Sequence, residues 1–318
     1  MSAREVWIEA AILSVVSAFL YQSALFVFVF LVPLAALGHR RGADWLGMAA
    51  LVTGGVVAAT RITSLIRLDV EWDFAILLME VLPPAAFLGG LYLLETRLLY
   101  GVRRLYRLIQ AVLIAGAVSV PVILLVSSSS VAMEALRQQF ELLHTMFTGG
   151  ESDPARLGRF ATVGGMMEAV LDLLLSTYLF AYTVVLAGNW YLGQLIGART
   201  QGQEGLRMRD FRLPDVFVWV LVGSSGAALV SLVGNAGVFE HLAWNALFIA
   251  LFLYGVQGLG ILWSLLDRFE IARGIRIGVG AALVILVLVP GANILVLLGL
   301  PGLGVAETWI HFRSTERS

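Results

Sequence analysis

Predominantly apolar runs of twenty residues and more recur along the whole of this 318-residue chain, and they constrain its fold more than any other feature. At about 1.5 Å per residue, such a run crosses the roughly 30 Å hydrocarbon core of a bilayer. In lipid it must be helical, because no water is present to satisfy its backbone N–H and C=O groups. Eight such segments lie at about residues 10–37, 44–66, 74–94, 106–128, 163–197, 214–237, 242–265 and 275–300. The composition, 59% apolar and only 14% charged, supports the same reading, since a soluble domain needs far more surface charge. The expected fold is an all-α polytopic transmembrane bundle of about eight spans, with residues 1–318 as a single integral membrane domain. The first segment carries Tyr21, Gln22 and Ser23 at its centre, and the last is interrupted by Pro290, Gly291 and Asn293. If either turns back as a hairpin, the count rises to nine or ten.

Cytoplasmic loops retain positive charge, so the arginines orient the bundle. Arg40, Arg41, Arg97, Arg103, Arg104, Arg107, Arg199, Arg207, Arg209, Arg212, Arg268, Arg273 and Arg276 fall in every second loop. The intervening loops hold only Arg67, Arg137, Arg156 and Arg159, together with acidic residues such as Asp69, Asp73, Glu134 and Glu151. This alternation places the first group in the cytoplasm, as expected of a bacterial inner-membrane protein. Residues 129–162 form the longest outer loop. There Met133, Leu136, Phe140, Leu143 and Phe147 recur at spacings of three and four, the stripe of an amphipathic helix lying at the outer face.

Ionisable groups within a span cost about 2.5 to 3.5 kcal/mol each on insertion scales and need a partner or a cavity. Arg61, Glu80, Glu168 and Asp172 are embedded on this reading. Arg61 and Glu80 fall at matched depth on consecutive spans, as a buried ion pair or a ligand site requires. Glu168 and Asp172 share one helical face. Asn235 and Asn245 lie near the outer ends of their spans and Gln257 lies deeper. These seven are the candidate substrate-binding residues, lining a polar pocket open to the outside. Pro83 and Pro84 should break or kink the third span.

Several function classes are excluded or disfavoured. A net charge of −1 offers no basic face for nucleic acid. All basic residues are arginine, so no Walker A loop exists and the chain is not its own P-loop ATPase. There is no cysteine, no HExxH and no GxSxG. No metal, cofactor or catalytic residue is expected, and an intramembrane hydrolase built on Glu168 and Asp172 is the weakest reading.

Leu213 and Pro214, the set Asn245, Tyr254, Gln257 and Gly258, and the closing stretch GLGVAETWIHFR from Gly302 to Arg313 resemble the YybS-like family (DUF2232) of bacterial multi-pass membrane proteins. Where that family tends to have aspartate, this chain has Glu307. The family is distantly similar to the substrate-binding S components of energy-coupling-factor transporters. The resemblance implies small-solute binding or transport beside a separate ATPase and transmembrane coupling partner. S components often carry Ala-x-x-x-Ala in their first helix; here Ser14 and Ala18 are the nearest equivalent. The alternative is a non-transporting scaffold in cell-envelope assembly, with the embedded charges serving only to hold helices together.

Overall fold

A computed structural model describes residues 3–23, 25–67, 73–96, 104–148, 158–234, 237–310 and 312–313. Among the described residues the chain forms eleven α-helices and no strand. They are α1 (Ala3–Gln22), α2 (Val32–Arg41), α3 (Ala43–Arg67), α4 (Phe74–Glu95), α5 (Arg104–Ser128), α6 (Ser130–Thr148), α7 (Val163–Thr200), α8 (Phe217–Val233), α9 (Val238–Arg268), α10 (Arg273–Leu288) and α11 (Asn293–Ala306). Five of them, α3, α4, α5, α7 and α9, are long and apolar enough to cross a membrane, and α8 and α11 are shorter apolar helices. Large apolar side chains stand exposed around them, including Leu51, Leu113 and Val233 at 79%, 62% and 94%. Water would not tolerate so much contiguous apolar surface, whereas lipid covers it without cost. The chain is a helical membrane protein.

Six of the eight apolar segments are single helices, but the first and the last each contain two. In the first, α1 stops at Gln22, a short 3-10 turn follows at Val27–Val29, and α2 runs back. The Ser17 hydroxyl donates to the Phe30 carbonyl, while Arg40 and Arg41 pair with Glu9 at 2.7 and 2.8 Å. Those contacts make an antiparallel hairpin. In the last, α10 ends at Leu288, and Gly291 takes φ +84°, a left-handed turn conformation natural to glycine, before α11 begins. The first and last segments are thus each divided into two helices. By contrast α4 does not break: the helix continues through Pro83 and Pro84.

The helices form two compact units, Met1–Leu175 with Ala181–Gly205, and Ser176–Phe180 with Leu206–Ser318. No Pro- or Gly-rich linker marks this division in the sequence, because residues 176–180 lie inside the unbroken helix α7. In the first unit α1 lays its small face, Ala10, Ser14, Ser17 and Ala18, against α3. The Ser14 hydroxyl donates to Ala10 and Ala49 carbonyls at 2.8 and 3.1 Å. Ser14 and Ala18 are thus buried inside the protein and do not form an outward docking face.

The amphipathic helix expected in residues 129–162 is α6. Asp73 accepts the Ala75 N–H at 2.7 Å, capping α4, and also the Ser129 hydroxyl. Ser129 Oγ in turn accepts the Ala132 N–H at 3.1 Å, so one carboxylate ties two helix starts together. Of the α6 stripe Phe140 is buried and Leu143 remains exposed, and Ala132 beside the stripe is buried. The stripe therefore packs on protein at least in part. Phe147 belongs to it by spacing, but its side chain lies outside the described residues.

In the second unit α9 and α11 lie so close that a Cβ on Gly258 would overlap the Leu300 carbonyl, and one on Gly304 the Tyr254 carbonyl. Glycine permits this backbone approach, the membrane-helix use of small residues.

Candidate functional site

Arg61 sits six residues from the end of α3 and Glu80 six residues from the start of α4, about 9 Å in from each helix end at 1.5 Å per residue. The matched depth read from the sequence is realised as an ion pair, Arg61 Nη1 to Glu80 Oε2 at 3.2 Å. Both side chains keep about a third of their surface exposed, 38% and 33%. The guanidinium lies 5.7 Å from the centroid of the Tyr21 ring, a cation–π contact at the end of α1. Beside it the Gln22 amide donates to Thr60 Oγ1 at 3.1 Å. Tyr21 also begins an aromatic ladder. It meets Phe30 edge-on at 5.0 Å, Phe30 meets Phe87 at 6.0 Å, and Phe87 stacks on Tyr182 at 4.8 Å. Three helices of the first unit thus hold a charged pair against an aromatic wall.

The same pair has two unsatisfied features. Arg61 Nε is shielded and makes no hydrogen bond. Pro83 and Pro84 carry no N–H, so the carbonyls of Met79 and Glu80 lack their usual partner four residues on. A groove of about 730 Å³ between α3 and α4 is lined by Gly54, Gly55, Val81, Pro84, Leu88 and Tyr92 among others, and neither Arg61 nor Glu80 lines it.

The other expected site residues do not join this cluster as far as the described contacts go. Glu168 and Asp172 stand exposed on α7, one turn apart. That helix has 38 residues, about 57 Å, longer than a bilayer with its headgroups at roughly 40–45 Å. Counted back from Arg199 at its basic end, a span of about 25 residues stops near Leu175. Glu168 and Asp172 fall outside a span counted this way, so their embedding does not follow from the length of the helix. Asn235 lies outside the described residues.

Asn245 and Gln257, both in the second unit, are 3% exposed and spend their amides on backbone. Asn245 Oδ1 accepts the Leu179 and Phe180 N–H groups at 2.8 and 3.2 Å, and its Nδ2 donates to the His241 carbonyl at 2.8 Å. Gln257 accepts the Leu213 N–H at 2.6 Å and donates to the Gly304 carbonyl at 2.9 Å. These are staples between segments, not groups held out for a solute. Ser176 and His241 share a hydrogen bond of 2.9 Å, the reach of a nucleophile and its base. The nearby Leu179 and Phe180 N–H groups are taken up by Asn245 Oδ1 and are not held out for an oxyanion, so hydrolysis gains little from the pair.

Three arrangements escaped the sequence reading. Glu95, at the very end of α4, accepts the Trp190 indole N–H at 2.7 Å and the Gln194 amide, while Arg104 lies 5.8 Å from the Trp190 ring centroid. The one available signal was a carboxylate entering an arginine-rich stretch. Asn189 repeats the staple of Asn245, receiving the Leu31 N–H and donating to the Phe28 and Val185 carbonyls. Glu307, 2% exposed at its side chain, is held by Arg313 through two hydrogen bonds and by Arg212 at 3.5 Å. Arg313 further donates to the Arg209 and Phe211 carbonyls at 2.6 and 2.9 Å. The buried carboxylate is fully compensated, as burial of a charge demands.

Gln257, Gly258, Leu213, Glu307 and Arg313, on which the family resemblance rests, are thus largely packing and stapling residues of the second unit. No family model matches this chain, and neither a curated protein nor a solved structure similar to it was found.

Proposed function

We propose that this chain binds a small polar solute within the membrane, at Arg61 and Glu80, and serves transport together with a separate energy-supplying ATPase. On this reading it lies in a bacterial cytoplasmic membrane with its arginine-rich helix ends inside, and the YybS-like resemblance and its S-component kinship describe its origin. The observation that carries the reading is the Arg61–Glu80 pair itself: half-exposed, joined by a single contact, and flanked by the Tyr21 ring and an unbonded guanidinium nitrogen. A pair serving only to hold helices is better saturated, as Glu307 with its two arginines illustrates. The candidate site contracts from seven residues to these two with Tyr21 and Gln22 beside them.

One observation favours a scaffold in envelope assembly instead. Ser14 and Ala18, the nearest equivalent of the S-component docking motif, are buried against α3, so a coupling partner must dock elsewhere. Gentle purification from native membranes, with identification of co-purifying proteins and small molecules, separates the two readings. An ATPase and a bound metabolite support transport. A stable complex with peptidoglycan-synthesis proteins, lacking both, overturns it.

A further inference from the structure

We infer that the solute taken by the Arg61–Glu80 site is a zwitterion of the amino-acid type, an inference that rests on the solute-binding reading above. Its first support is charge balance. Among the described residues the two side chains have only each other as ion-pair partners, so the site is neutral overall while presenting one cation and one anion. A lone anion would be drawn to Arg61 but repelled by Glu80, and a lone cation would meet the reverse. Each would also import net charge into a region of low dielectric, where unpaired charge is most costly. A molecule carrying a carboxylate and an ammonium a few bonds apart satisfies both partners and leaves the total at zero.

The second support is geometry. Arg61 uses Nη1 on Glu80, and its Nε is shielded and unbonded. A guanidinium offers its donors in pairs along each edge, matched to the two oxygens of a carboxylate. A ligand carboxylate that displaces what shields the Nε edge completes a donor that now lacks a partner, without displacing Nη1.

The third support is the acceptor side. An ammonium has three donors and seeks three acceptors. Glu80 supplies its carboxylate, and the carbonyls of Met79 and Glu80 are left without their helical partner by Pro83 and Pro84, while α4 stays helical. Adjacent prolines one turn beyond the glutamate thus leave two backbone acceptors without their helical N–H on the helix that carries the anion.

The test uses the full chain purified into lipid nanodiscs, with thermal unfolding followed against the twenty common L-amino acids. For each that stabilises, its decarboxylated amine and its deaminated acid are compared. The expected result is stabilisation by at least one amino acid, with its amine and acid binding at least tenfold more weakly. Glu80→Gln should weaken the amino acid at least tenfold and tighten the acid, which loses its repelling carboxylate; Arg61→Gln should weaken the amino acid likewise and tighten the amine. Because loss of one charge can unfold the bundle, the double exchange Arg61→Glu with Glu80→Arg is a second variant. It keeps the pair and the net charge but sets a guanidinium beside the freed carbonyls, so it should remain folded and lose binding. Acids binding as tightly as amino acids would overturn the zwitterion and leave solute binding standing. No shift with any member of the panel, or unchanged binding in the double exchange, would also overturn it. The broader reading falls separately, if native purification yields no metabolite and no ATPase.

Discussion

Replacing Asn189 by leucine, of similar volume, isolates what the carboxamide staples contribute. Asn189 is 2% exposed and accepts the Leu31 N–H at 3.1 Å while donating to the Phe28 and Val185 carbonyls at 2.6 and 2.7 Å. Val185 has its own helical hydrogen bond to fall back on, but Leu31 and Phe28 flank the break between α1 and α2, where no helix supplies partners. Leucine therefore leaves two backbone groups unsatisfied where lipid or protein, not water, surrounds them. At about 1–3 kcal/mol for each orphaned group the loss is about 2–6 kcal/mol. Side-chain hydrogen bonds within membranes average only about 0.6 kcal/mol, since the unfolded chain in the bilayer also finds partners. The expected loss is then about 2–4 kcal/mol, roughly thirty- to a thousandfold in the folding equilibrium. Reversible unfolding by SDS in mixed micelles, followed by circular dichroism, measures it. A loss below about 0.5 kcal/mol, with the hairpin contact between Arg41 and Glu9 retained in a double-mutant cycle, would refute the reasoning.

Two further outcomes follow from other parts of the fold. Gly258→Ala should destabilise the protein by about 2 kcal/mol or more, because the added methyl meets the Leu300 backbone, whereas Gly55→Ala, which meets nothing within 4 Å, should be nearly neutral; paired unfolding curves compare them. Asp73, at the start of α4, has its carboxyl held below the ordinary carboxylate value, first by the Ser129 hydroxyl and then by the Ala75 N–H. A depressed folded pKa contributes stability that is present above the unfolded value and is lost as the pH falls through the folded one. Protection of amides at the α4 and α6 starts, measured relative to their intrinsic exchange rates, should therefore fall at acidic pH in the native protein, and the fall should be absent in Asp73→Asn.

Helix positions were legible because each apolar run must satisfy its own backbone, so length alone announces a membrane helix. The matched depth of Arg61 and Glu80 was legible for the same reason, since residue counts from a helix end translate directly into distance along the membrane normal. Facing was not. Ser14 and Ala18 read as a possible docking surface and proved to be internal, and Asn245 and Gln257 read as ligand groups and proved to be staples. In water a polar face marks the outside of a helix, but these helices are apolar all round, and the periodicity that would reveal the inward side is missing.

What the sequence by itself determined is an all-helical membrane chain, its segment positions, and the arginine alternation along it. The tertiary structure alone decided that each terminal segment divides into two helices, that Glu95, Asn189 and Glu307 anchor distant segments, and that Arg61 and Glu80 of the expected site meet. The physical reason is the solvent. Lipid is as apolar as a protein core, so burial does not select one helix face over another. Selection falls to close backbone approach at glycine and to hydrogen bonds spanning as many as 161 residues, as from Asn189 to Phe28, which no local pattern encodes.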